Sequence, residues 1–158
     1  MELQGTTQAA GCRFGIVVSQ FNAEVTEGLL RGARAVLAAA GVADADVSIV
    51  RVPGAFEIPL VARKLAETKR VDAVIALGCL IKGDTMHFEY IASATSAGIM
   101  DAATATGVPV AFGVLTTLTE EQALVRAADD EQNKGREAAQ AALDMTQVLA
   151  DLHARFGQ

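Results

Sequence analysis

The sequence predicts an α/β fold: a three-layer αβα sandwich built on a four-stranded parallel sheet. Apolar runs of strand length alternate along the chain with segments of helical periodicity. The runs show little apolar–polar alternation, the pattern of strands buried on both faces. No repeat, low-complexity tract or linker interrupts the alternation. Crossovers between parallel strands are expected to be right-handed.

The first strand is the short run Arg13 to Val18, followed by Ser19-Gln20-Phe21-Asn22. From Val25 the apolar positions Leu29, Leu30, Ala33, Val36, Leu37 and Ala40 fall on one helical face. Asn22 is the expected N-cap of that helix and Gly41 its C′ stop. Val47 to Val52 reads as the second strand, broken by Pro53-Gly54, with a helix from about Glu57 to Thr68 after it. Ala73 to Ile81 is the third strand, and a helix from His87 to Thr106 ends at Gly107. The fourth strand spans Val108 to Leu115, with Pro109 near its start, where a missing N–H is tolerated. Thr119-x-x-Gln122 resembles a capping box for a short helix ending near Ala127. Asp129-Asp130-Glu131 is a solvated turn, and the final helix spans Lys134 to Phe156. Residues 1–12 are expected to form an amino-terminal arm and residues 13–158 one αβα domain.

Composition narrows the function. Net charge is −6 with no basic cluster, which argues against nucleic acid, where Lys and Arg must neutralise phosphates. No apolar stretch reaches about 18 uninterrupted residues, so no membrane span is expected. The first residues lack the pattern of a secretory signal, and a cytoplasmic location is expected. Cys12 and Cys79 form no C-x-x-C and read as free thiols in a reducing compartment. With His87 and His153 as the histidines, no metal-ligand spacing occurs. His153, near the end of the final helix, reads as structural. The chain is 51% hydrophobic, with a mean hydropathy of +0.32. That excess points to a partner subunit, because obligate interfaces resemble a core cut in half.

Open parallel sheets bind ligands at the carboxyl ends of their strands. Phe21-Asn22, Gly54 to Glu57, Cys79 to His87 and Phe112 to Thr116 lie there, and they hold the unusual residues of the chain. Phe21 reads either as a ring that stacks on a flat heterocycle or as an N′ residue packed onto its own helix. Glu57 reads as an acceptor beside small residues or as a first-turn glutamate favouring the helix dipole. Gly83-Asp84-Thr85 offers backbone N–H groups and a hydroxyl to an anion, with the Asp84 charge opposing it; a plain turn with Thr85 or Asp84 as N-cap is the other reading. His87 can move protons near neutral pH, or can serve as a helix-capping residue. Arg126 can grip a phosphate through its fork, or can pair with Asp129, Asp130 or Glu131 on the surface, and Lys134 flanks the same turn.

Taken together, these residues resemble the 6,7-dimethyl-8-ribityllumazine synthase family, from about Phe14 to Met145. The resemblance rests on Ser19 to Asn22, Val52 to Pro59, Gly78 to Glu89, Gly107 to Thr116, and Arg126 with Asn133-Lys134-Gly135, in order and at family spacing. It implies a flavodoxin-like domain that condenses 5-amino-6-(D-ribitylamino)uracil with 3,4-dihydroxy-2-butanone 4-phosphate, with no metal or organic cofactor. It implies that Phe21, with Asn22 beside it, meets the pyrimidine. Ala55, Phe56 and Glu57, with Cys79, Leu80 and Ile81, line the ribitylaminouracil site. Asp84 and Thr85 fall where the phosphate is held, and His87 is the proton-transferring residue. Phe112 and Arg126, with Lys134 nearby, match residues that a neighbouring subunit supplies in a homo-oligomer built from pentamers. Asp84 and Met86 occupy variable family positions. The segment Ala127 to Gln132 lacks the glycine-rich turn of many cage-forming members, so pentamer, decamer and closed shell all stay open. A flavin- or lumazine-binding module of the same architecture would use Phe21 and Glu57 but give His87, Thr85 and Arg126 no role, and the intact set of site residues argues against a shell subunit with a degraded site.

Overall fold

The apolar runs form the sheet, and the periodic segments form the crossovers that cover it. In order the elements are β1 (Phe14–Ser19), α1 (Ala23–Ala39), β2 (Val47–Val52), α2 (Ile58–Glu67), β3 (Ala73–Ile81), α3 (His87–Thr106), β4 (Val110–Thr117), α4 (Glu120–Arg126) and α5 (Lys134–Phe156). Short 3₁₀ turns at Asp44–Asp46 and Ala55–Glu57 lead into β2 and α2. The computed structural model describes residues 1–5 and 8–157.

The strand order is β2-β1-β3-β4, all parallel. Phe14 sits opposite Val47 on one side and Ala73 on the other, which makes β1 a central strand. Alternate residues of β1 and β3 serve two cores. Phe14, Ile16, Val18, Ile75 and Leu77 pack with Leu29 and Leu37 of α1 and with Ala139 and Leu143 of α5. Val17, Val74 and Ala76 pack with Ile58 and Ala62 of α2 and with Ile99 of α3. The result is the expected sandwich, with α1 and α5 on one face and α2 and α3 on the other.

Burial on both faces holds for β1 and most of β3, but not for the edge strands. On β2 only Val52 is fully buried, and on β4 Phe112 and Thr116 turn outward. The helices cross the middle of the sheet and leave its margins uncovered. The fourth strand starts later than expected, at Val110, and Val108 packs in the α2–α3 core ahead of it. Pro109 still contributes its carbonyl, which accepts from the Val74 N–H at 2.8 Å. The second helix is also shorter than expected, since Ala55–Glu57 is a 3₁₀ turn rather than its first turn. The amino-terminal segment is tied to the body where the Ala9 N–H donates to the Ala40 carbonyl at 2.9 Å.

Two caps differ from the sequence pattern. Asn22 occupies the N-cap position of α1 but sits in the left-handed region (φ 59°), and its side chain caps nothing. Neither Thr85 nor Asp84 is the N-cap of α3; that position is Met86. At α4, Thr119 accepts from the Gln122 N–H at 3.2 Å as expected, but the Gln122 amide oxygen reaches back to the Leu118 N–H rather than to Thr119.

Candidate active site

The strand order reverses at β1, which pairs with β2 on one side and β3 on the other. In doubly wound sheets, ligands bind outside the strand ends at such a switch point. A cleft of about 690 Å³ opens there, lined by Phe21 and Asn22, by Pro53 to Glu57, by Cys79 to Ile81, and by Gly83, Thr85, His87, Phe88 and Ile91.

The turn after β1 holds the three strand exits together. The Gln20 N–H donates to the Val52 carbonyl at 2.8 Å and the Phe21 N–H to the Pro53 carbonyl at 3.0 Å. The Asn22 side-chain amide donates to the Cys79 carbonyl at 3.0 Å. That bond explains why asparagine stands at a left-handed position, which it tolerates better than most residues. The Phe21 ring is 69% exposed. It therefore does not pack onto its own helix; it stands at the cleft with its ring open.

The turn after β2 is supported from two sides. The Glu57 carboxylate accepts from the Gly54 N–H at 3.0 Å. The buried Thr95 hydroxyl of α3 donates to the Ala55 carbonyl at 3.3 Å. Glu57 is thus a turn-capping carboxylate that also lines the cleft.

The turn after β3 carries the anion-ready backbone. Lys82 is anchored by its N–H on the Thr117 carbonyl at 2.8 Å, and its ammonium lies 3.3 Å from Glu89 in the first turn of α3. The glutamate's own free amide and Lys82 hold its carboxyl below the usual carboxylate range. His87 is the first residue of α3, exposed, with its N–H 3.4 Å from the Thr85 hydroxyl. Gly83 has open space around its Cα, so backbone and ligand can approach closely there. Asp84 is exposed, between the cleft-lining residues Gly83 and Thr85.

Cys79 is buried in the cleft wall, and burial pushes its thiol up to about 11. At neutral pH it is a protonated wall residue, not a nucleophile. Its ordinary value is 9.0. Between these values the unfolded chain gives up the proton while the folded chain keeps it. Stability is therefore full below the lower value and falls as pH rises, by up to about 2–3 kcal/mol. Urea unfolding of Cys79→Ala should lose that part of the alkaline decline; an unchanged pH slope would refute the assignment.

Phe112, Arg126 and Lys134 are not part of this cleft. They line a second one of about 310 Å³ along β4, with Thr116, Glu137 and Ala141. The two clefts share no lining residue. Arg126 makes no ion pair with the acidic turn: Asp129 pairs with Arg31 at 3.1 Å, and the Arg126 guanidinium donates to the Gln122 carbonyl at 3.0 Å. Lys134 pairs with Glu137 at 2.6 Å. Phe88 and Ile91 are lining residues that strand-end reasoning did not single out. Ile91 was reachable, because it lies one helical turn beyond His87 on the same face.

Fold and site together define a doubly wound α/β protein with a cleft at its switch point. The family model described as 6,7-dimethyl-8-ribityllumazine synthase matches residues 11–150. The chain is 56% identical over 137 residues to 6,7-dimethyl-8-ribityllumazine synthase 1 of Caulobacter vibrioides, covering 87% of this chain and 90% of that protein. It is 49% identical over 149 residues to the 6,7-dimethyl-8-ribityllumazine synthase of Syntrophus aciditrophicus, covering 94% and 97%. The chain belongs to the 6,7-dimethyl-8-ribityllumazine synthase family.

Proposed function

We propose that this chain is a transferase that condenses 5-amino-6-(D-ribitylamino)uracil with 3,4-dihydroxy-2-butanone 4-phosphate, giving 6,7-dimethyl-8-ribityllumazine, phosphate and water, in riboflavin biosynthesis. The observation that carries this reading is the gathering of Phe21, the Ala55–Glu57 turn, Thr85 and His87 in one cleft at the switch point. Phe21 stacks on the pyrimidine. The polar edge of that ring meets backbone and carboxylate at Ala55, Phe56 and Glu57, and Cys79, Leu80 and Ile81 wall the ribityl side. The amides from Gly83 onward and the Thr85 hydroxyl receive the phosphate. Asp84 belongs to the same loop, beside the phosphate.

Imine formation, phosphate elimination and ring closure each move protons. His87, next to the phosphate, relays them. Both substrates are reactive once adjacent, so holding them together supplies much of the rate.

A neighbouring copy completes the site with Phe112, Arg126 and Lys134. Their placement in a separate cleft supports this, as do the exposed apolar side chains Leu60, Tyr90, Met100 and Val125. In this reading residues 13–158 are the catalytic domain and residues 1–12 an arm. The enzyme works in the cytoplasm, which fits its unbridged Cys12 and Cys79. Among the described residues no helix is long and apolar enough to cross a membrane.

Mixing the purified protein with both substrates and following lumazine absorbance tests the activity; a rate equal to the uncatalysed background would end it. Arg126→Ala should raise KM for the phosphate substrate roughly 10–100-fold, the loss of one charge-assisted contact. KM for the uracil should move little. Equal rises in both would remove Arg126 from the phosphate.

A further inference from the structure

We propose that Asn133 is a positioning residue that fixes the spacing of the two phosphate-side cations, Arg126 and Lys134; this rests on the reading of those cations given above. Asn133 is a polar side chain that is 1% exposed. Its amide nitrogen donates to the Gly28 carbonyl of α1 at 3.1 Å and to the Ala128 carbonyl just past α4 at 2.9 Å. Its amide oxygen accepts from the N–H groups of Gly135 and Arg136 in α5, at 2.8 and 3.1 Å. One side chain thus ties three helices at a single point.

The cations sit on either side of that point. Arg126 ends α4, two residues before Ala128, and Lys134 begins α5, directly after Asn133. Between them runs an exposed acidic turn with few bonds of its own: Asp130 N–H to Ala128, Gln132 N–H to the Asp130 side chain, and a long Asn133 N–H to Asp130 at 3.3 Å. The helix α4 has 7 residues, of which Ala123 is buried. Ala123 and Leu124 seat its inner face on the core, and Ala127 is buried just past its end; its register along that surface depends on how its two ends are tied. Asn133 supplies the tie at the carboxyl end, beside Arg126. The surroundings are cut to admit it: a Cβ on Gly32 would lie 2.2 Å from the Asn133 amide oxygen, and one on Gly28 would lie 2.3 Å from the Ala127 carbonyl.

The test uses Asn133→Asp and Asn133→Ser in the assembled enzyme. Both keep an oxygen for the Gly135 and Arg136 amides. Asn133→Asp removes both donors to Gly28 and Ala128, and Asn133→Ser replaces the two-donor amide with one hydroxyl on a shorter side chain. The readouts are KM for each substrate, kcat, and competition by inorganic phosphate against the phosphate substrate, with Arg126→Ala run alongside. The proposal expects KM for the phosphate substrate and the inhibition constant of inorganic phosphate to rise about tenfold, the loss of roughly one aligned contact. KM for the uracil stays within about twofold. A purely structural role would lower the unfolding midpoint and leave the two KM values in their original ratio. That ratio unchanged in a folded variant, or a failure of both variants to fold even in the cold, overturns the proposal. If Arg126→Ala leaves the phosphate KM unmoved, the cation reading itself falls and the proposal with it. If Arg126→Ala acts and the folded Asn133 variants do not, only the proposal falls.

Discussion

Replacing Gly135 with alanine is expected to destabilise the fold strongly. A Cβ at this position would lie 1.9 Å from the Leu29 carbonyl oxygen and 2.6 Å from its carbon. Both are backbone atoms of α1, so no rotamer change relieves the overlap, and the two helices must separate. Overpacking of this kind costs about 1–3 kcal/mol even where side chains can yield. Separating α1 from α5 also strains the Asn133 bonds and the core around Leu29 and Leu143. A loss of at least about 3 kcal/mol is expected, a large share of the roughly 5–15 kcal/mol that holds a domain together. The gain of about 1 kcal/mol from placing alanine in a helix does not offset it. Gly83→Ala is the matched control, because nothing lies within 4 Å of its Cβ position. Urea unfolding of the two variants decides the matter: equal midpoints would show that α1 and α5 can part at little cost.

His87→Ala should lower kcat about 10- to 100-fold with the unfolding midpoint unchanged. General acid–base groups commonly contribute about 10²–10⁴. The expected effect falls at or below the bottom of that range because His87 is exposed at the cleft mouth, where water and buffer can carry part of the proton traffic. Positioning by the remaining cleft residues survives the substitution. The ring belongs to neither core cluster, so its loss leaves packing intact. Steady-state rates at saturating levels of both substrates provide the measurement. A kcat within about twofold of the parent would show that some other group moves the protons. Added imidazole should restore part of the rate in the alanine variant; a structural role for the ring predicts no such rescue.

These predictions draw on different levels of legibility. The third strand, the helix from His87 to Thr106 and the final helix from Lys134 to Phe156 match the sequence pattern end to end. Each is bounded by a local signal, such as Gly107 in the left-handed region at φ 73°. The placing of Phe21, Glu57, Thr85 and His87 at strand ends was likewise readable, since strand ends follow from strands. Asn22 takes the N-cap position that the sequence predicts, but its amide serves β3, 57 positions away, instead of the helix.

What the sequence determined alone was the order and type of the elements, and hence the loops in which chemistry could reside. Periodicity is a property of neighbours, and neighbours are visible in one dimension. The tertiary structure decided which loops meet: Phe21 with His87 in one cleft, Phe112 and Arg126 in another. It also decided the anchoring of Asn133, whose bond to Gly28 spans 105 positions. Such a bond exists only because a glycine-lined helix crossing brings a buried amide within reach of a carbonyl, and no local pattern encodes that distance.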